Sequence, residues 1–223
     1  AGSVDVTLDA ASTTPDLTAL TGELRVDRLD VRVADLPITQ RVPTRIVARD
    51  GFARVEAWDW VGQGATLAVR GQVRLDDRQA AILANGVVDL RMLTPFIRDA
   101  GMATTGRLEP RLSITGPLDD LRVDGDLTVT DGEVRLADPR MLVSNLDVRT
   151  VLTRTSARIT SLTGAINGGA LTGTGTLTGN AEGGLEAQLS TSIRGMALEC
   201  PEGLRSEINA DLDLDVLVVE FEA

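Results

Sequence analysis

The sequence predicts an all-β, antiparallel fold, and three observations carry that prediction. Apolar and polar residues alternate through most of the chain, turn-forming residues punctuate the alternation, and the pattern recurs after about 104 residues. A period of two sets the apolar side chains on one face of a strand and the polar ones on the other.

The alternation begins near the start, where Val4, Val6, Leu8 and Ala10 are interleaved with Asp5, Thr7 and Asp9. It resumes at Leu67, Val69, Gly71, Val73 and Leu75, and again at Leu108, Pro110, Leu112 and Ile114. Further strands follow at Leu121, Val123, Gly125, Leu127 and Val129, then at Leu185, Ala187, Leu189 and Ile193. The last run is Leu204, Ile208, Ala210, Leu212, Leu214 and Val216. Asp131-Gly132, between Val129 and Val134, reads as a hairpin turn. Thr115-Gly116-Pro117 and Asn85-Gly86 read as breakers, although the alternation runs through the second of these. One short helix is expected over Met92 to Ala100. It carries Met92, Phe96 and Ala100 on one face, Pro95 in its first turn and Gly101 beyond its end.

The repeat is legible residue by residue. Gly22-Glu-Leu-Arg-Val returns as Gly125-Asp-Leu-Thr-Val, and Val31-Arg-Val-Ala-Asp as Val134-Arg-Leu-Ala-Asp, both about 103 residues later. Gly64, Leu67, Gly71 and Met92 return as Gly168, Leu171, Gly175 and Met196, about 104 residues later. This divides the chain into a first repeat over 1–103, a second over 104–211 and the opening of a third over 212–223. So long a unit suits a meander of several strands better than one coil of a β-helix. The first residues already read as a strand, so the sequence is expected to be cut from a longer protein, with any targeting segment outside it.

Composition excludes several classes of chemistry. The chain has no His and no Lys, which removes Ser-His-Asp and Cys-His catalysis, His metal ligation, Schiff-base chemistry and the P-loop lysine. Cys200 is the single cysteine, so no internal disulfide forms, and it reads as a passive small residue. A net charge of −11 and a pI near 4.5 repel nucleic acid and anionic lipid surfaces. Aromatic residues at 2% are too few for the girdles of a membrane barrel or for a sugar-stacking site. No run reaches the roughly 18 apolar residues of a membrane helix.

Each candidate site has a plainer explanation. Asp211, Asp213 and Asp215 resemble cation ligands but alternate with Leu212, Leu214 and Val216, so they read as a solvated strand face. Gly173, Gly175 and Gly179 suggest a dinucleotide loop but have the wrong spacing and no following helix; Gly173 and Gly175 fall in phase with Leu171 and Leu177. The pairs Asp76-Asp77 and Asp119-Asp120 lie beside turns. Trp58 and Trp60 are read in phase with Arg54 and Glu56, either packed at a groove mouth or meeting a partner. No catalytic, metal-binding or cofactor-binding residue is expected. The functional surface is expected to be an apolar lining formed by Leu67, Val69, Val73, Leu112, Ile114, Leu127, Leu171, Leu177 and Leu189.

The run from Gly106-Arg-Leu-Glu-Pro through Gly116-Pro-Leu-Asp-Asp and Asp131-Gly-Glu-Val-Arg-Leu resembles the TamB family. So do the glycine-rich Ile166-Asn-Gly-Gly-Ala-Leu-Thr-Gly-Thr-Gly-Thr-Leu and the later Leu198-Glu-Cys-Pro-Glu-Gly-Leu-Arg-Ser. AsmA-like relatives share much of this pattern. The resemblance implies an elongated sheet curled into a taco-like groove with an apolar interior. It also implies an inner-membrane-anchored protein of the periplasm that has no enzymatic activity. Its cargo would be phospholipid acyl chains or unfolded outer-membrane protein, and its partner an outer-membrane barrel. The alternative is a closed, structural or adhesive β-repeat module of a surface protein.

Overall fold

The computed structural model describes residues 2–33, 36–62, 64–93, 97, 101–137, 140–179, 185–199 and 205–218. These residues are almost all strand. In chain order the strands are β1 (Gly2–Ser12), β2 (Leu20–Val33), β3 (Leu36–Gln40), β4 (Thr44–Arg49), β5 (Phe52–Ala57), β6 (Asp59–Gly62), β7 (Ala65–Arg74) and β8 (Gln79–Asp89). After them come β9 (Met102–Pro117), β10 (Arg122–Leu136), β11 (Met141–Thr153), β12 (Ser156–Ile166), β13 (Gly169–Gly179), β14 (Leu185–Glu199) and β15 (Arg205–Val218). The fold is all-β, and the fifteen strands belong to one antiparallel sheet. Two compact units divide it: Ala1–Val88 with Glu109–Gly125, and Asp89–Leu108 with Asp126–Ala223.

In the first unit β1 pairs with β2, from Gly2 opposite Val31 to Ser12 opposite Leu20. The other side of β2 takes two short strands end to end: β3, with Asp30 opposite Thr39, and β4, with Val26 opposite Thr44. They act as one strand interrupted at Arg41-Val42-Pro43, where proline has no N–H to give to a ladder. A second interrupted strand follows. β5 sets Val55 opposite Gly71, and β6 sets Asp59 opposite Ala68, both along β7. Between these pairs Glu56, Ala57 and Trp58 face only Val69 and Arg70. The surplus residue is a β-bulge, and it exchanges the two faces of the strand. This corrects the sequence phase of the tryptophans. Arg54 pairs with Gln72 on the polar face, whereas Trp60 lies opposite Leu67 on the apolar face.

The second unit is a plain meander, with ladders β11–β12, β12–β13, β13–β14 and β14–β15. Here the predicted hairpin at Asp131-Gly132 is overturned: β10 runs straight through it. Asp131 takes a φ of 50°, and its N–H donates to Asp147 Oδ1 at 3.3 Å. The left-handed backbone that suits Asp-Gly to a tight turn also suits it to a bulge, so the pair does not by itself reverse the chain. Asn85-Gly86 likewise lies inside β8, with Gly86 opposite Leu67. Thr115-Gly116-Pro117 does end a strand, and the turn beyond it is closed by the Asp120 N–H to the Pro117 carbonyl at 2.9 Å.

Most of the expected helix, including Pro95, Phe96 and Ala100, lies outside the described residues. Leu90–Leu93 forms a 3-10 turn. Gly101, with φ of 69°, has the left-handed conformation expected of a residue past a helix end.

Candidate functional site

In an antiparallel ladder, directly opposed residues share a face, so the register assigns each side chain to one side of the sheet. In the second unit Leu171 lies opposite Ile193, which lies opposite Ala210. Gly175 lies opposite Leu189, which lies opposite Leu214, and Leu177 lies opposite Ala187. On the other side of β13, Gly173 meets Leu162, Gly175 meets Ile159 and Leu177 meets Ala157. Leu171, Leu177 and Leu189 therefore share one continuous apolar face. Side chains of β14 lean over the glycines: a Cβ on Gly173 would stand 2.9 Å from Thr191 Cγ2, and one on Gly175 3.1 Å from Leu189 Cδ1.

Shelter is uneven along that face. At one end Ile166, Leu171, Ile193 and Met196 form a buried cluster, with Met141, Val143, Leu162 and Ile208 packed against it. At the other end the face opens to solvent: Leu171 is 9% exposed, Leu177 39% and Leu214 50%. The alternation did not single out this cluster. Ile193 and Met196 both pack into it although they are an odd number of residues apart, because the β14–β15 register shifts between them and Gly195 takes a φ of 70°. A break in parity beside a glycine was the signal available in the sequence.

In the first unit Leu67, Val69 and Val73 share an apolar face with Gly86, Ala84 and Ala80 opposite them on β8. The bulge adds Trp60 to that face, a residue the sequence phase had put on the other side. Its indole Nε1 donates to Thr44 Oγ1 at 3.2 Å. The Thr44 hydroxyl in turn donates to Gln40 Oε1 at 3.4 Å, and Gln40 Nε2 donates to the Val26 carbonyl at 2.8 Å. Thr44 is only 3% exposed. The remaining predicted residues, Leu112 and Ile114 on β9 and Leu127 on β10, are half-buried.

The opposite face is polar. In the second unit Thr172, Thr174 and Thr176 stand opposite Ser192, Ser190 and Gln188, which stand opposite Asp211, Asp213 and Asp215. Two shallow depressions, about 730 and 520 Å³ in volume, share walls of Thr160, Thr174, Ser190 and Asp213, and the larger also touches Ile159, Leu189 and Leu214. Hydroxyls and carboxylates make poor lodging for an alkyl chain, since each would lose its water. Asp213 accepts from Ser190 Oγ at 2.5 Å, and Arg194 bonds both oxygens of Asp211, at 2.8 and 2.9 Å. Hydrogen bonds from Ser192 and then Arg194 hold the Asp211 carboxyl below the usual carboxylate range. Arg45 does the same to Glu23, and Arg91 to Asp89. These are exposed surface pairs, each worth little to stability.

No curated protein matches the chain, and no solved structure does. A family model does match, that of the TamB C-terminal domain, over residues 55–218. That span runs from β5 to the last described residue of β15 and covers most of the chain. With its all-β antiparallel sheet and its two-faced strands, the chain belongs to the TamB family, the translocation and assembly modules of the cell envelope.

Proposed function

We propose that the apolar face of this sheet carries phospholipid acyl chains between the inner and outer membranes, within a longer, inner-membrane-anchored protein of the periplasm. The curled groove of the family, an outer-membrane barrel partner and help in outer-membrane protein assembly belong to the same reading. The chain performs no catalysis on this account; it offers a surface.

The observation that carries the proposal is an extended apolar face left mostly uncovered. Six apolar side chains are buried among the described residues, far short of a continuous core, while Val4, Val6, Leu8, Leu177, Leu212 and Leu214 are exposed. An alkyl chain gains roughly 0.8 kcal/mol for each methylene it buries, so a dry strip holds lipid without any specific hydrogen bond. A closed adhesive module would need that strip covered.

The repeat division at 1–103, 104–211 and 212–223 is part of this proposal. Strand limits support it. The interrupted strand made by β5 and β6 runs from Phe52 to Gly62, and β12 runs from Ser156 to Ile166, the same interval displaced by about 104 residues. β7 begins at Ala65 and β13 at Gly169, displaced alike. Repeating units let one apolar strip be lengthened by copy number.

The test is direct. The purified chain is extracted with organic solvent and the extract read by mass spectrometry. Co-purifying phospholipid is the expected result; a lipid-free chain that also captures none from vesicles refutes the transport reading.

A further inference from the structure

Trp58 and Trp60 are the only tryptophans of the chain, and their rings pack together, with centroids 5.3 Å apart and planes at 45°. They sit where both interrupted strands of the first unit break. The bulge at this point turns Trp60 onto the apolar face, across from Leu67. The apolar run of Val73, Gly71, Val69 and Leu67 therefore ends against a polar group: Trp60, Thr44 and Gln40, joined by hydrogen bonds. Trp60 Nε1, Thr44 Oγ1, Gln40 Oε1 and Gln40 Nε2 each have a partner. The neighbouring Trp58 Nε1 is shut off from solvent and has no hydrogen-bond partner among the described residues. A buried indole N–H left unsatisfied costs free energy, and native proteins keep such groups only with a reason.

A diacyl phospholipid has the same sequence of chemistry along its length: alkyl chain, then ester carbonyls and glycerol. We propose that Trp58 and Trp60, with Thr44 and Gln40, form the station at which the ester–glycerol junction of a diacyl lipid rests, with Trp58 Nε1 donating to an ester carbonyl. The acyl chain then lies over Leu67, Val69 and Val73. This rests on the lipid-carrying reading and adds where a lipid stops within the first unit and how it is oriented. An indole suits the position because its ring is apolar while its N–H seeks an acceptor. The alkyl strip alone has no means of telling one end of a lipid from the other. The Trp58 donor supplies that distinction.

The test uses the full chain and its own tryptophan fluorescence. Vesicles of phosphatidylcholine are prepared with bromine atoms near the carbonyl end of the acyl chains, or, separately, near the methyl end. Bromine quenches only at close range, so the carbonyl-end lipid is expected to quench more strongly, by about twofold. Trp58→Phe keeps the ring and removes the N–H. It is expected to lower lipid capture by roughly threefold to tenfold, the worth of one hydrogen bond, without lowering the melting temperature. Equal or reversed quenching by the two lipids overturns the proposal. So does a Trp58→Phe chain that captures as much lipid as its parent. Capture without quenching sinks this station alone, whereas absence of any capture sinks the transport reading with it.

Discussion

Gly175 lies directly across from Leu189 in the β13–β14 ladder, and a methyl group at Gly175 would stand 3.1 Å from Leu189 Cδ1 and 2.7 Å from the Gln188 carbonyl oxygen. The glycine is space for its neighbour, and the leucine covers it. Gly175→Val is expected to destabilise the chain by about 1–3 kcal/mol, as overpacking does. Thr174→Val, an exposed change on the opposite face, is expected to stay within about 0.5 kcal/mol. Urea midpoints measure both. A tolerated valine at 175 would mean that β14 does not lean on β13 as described.

Leu171 and Leu177 stand on one strand and one face yet differ fourfold in exposure, at 9% and 39%. Truncation reads that difference. Leu171→Ala is expected to cost about 2–3 kcal/mol, because it hollows the cluster around Ile166 and Met196. Leu177→Ala is expected to cost under about 1 kcal/mol, since its methyls already meet water. Equal losses in chemical denaturation would contradict a face that is closed at one end and open at the other.

Leu127, half-buried on β10, separates a conduit from a closed core. An aspartate in a closed core has no escape from desolvation and unfolds the protein. On an open face water reaches it. Leu127→Asp is expected to keep a cooperative thermal transition with a modest drop in melting temperature, while photo-crosslinking of lipid to the inner strands falls sharply. Loss of the folded state, in a chain whose parent captures no lipid, would favour the structural module.

The pH response follows from the charge inventory. No histidine is present, so stability is expected to be flat between about pH 5.5 and 8. Asp211, Asp89 and Glu23 are held below their ordinary pKa by Ser192 and Arg194, by Arg91 and by Arg45 respectively. A depressed carboxyl stabilises the folded state above its unfolded pKa, and that contribution fades as pH falls through the lower folded value. Melting temperature is therefore expected to decline below about pH 4. The loss should be gentle, because these groups lie at the surface and salt screens them. A transition centred near pH 6 would contradict this account.

The sequence by itself determined the class of the fold and the two-faced nature of its strands. Alternation is a local property: each residue of β8 or β13 declares its face by its own polarity and that of its neighbours, whatever the strand later pairs with. The same locality made the family recognisable, since the pattern from Gly106 to Leu136 is written in consecutive residues. What only the tertiary structure decided lies where parity breaks. Asp131-Gly132 stayed inside β10 rather than forming a hairpin, with Asp147 accepting from the Asp131 N–H across the sheet. Trp60 joined Leu67 because three residues of one strand had to match two of the next, a mismatch that belongs to the pair of strands and to neither alone. Register is set by the partner. One inserted residue reverses every face beyond it, and no periodicity within a single strand announces the insertion.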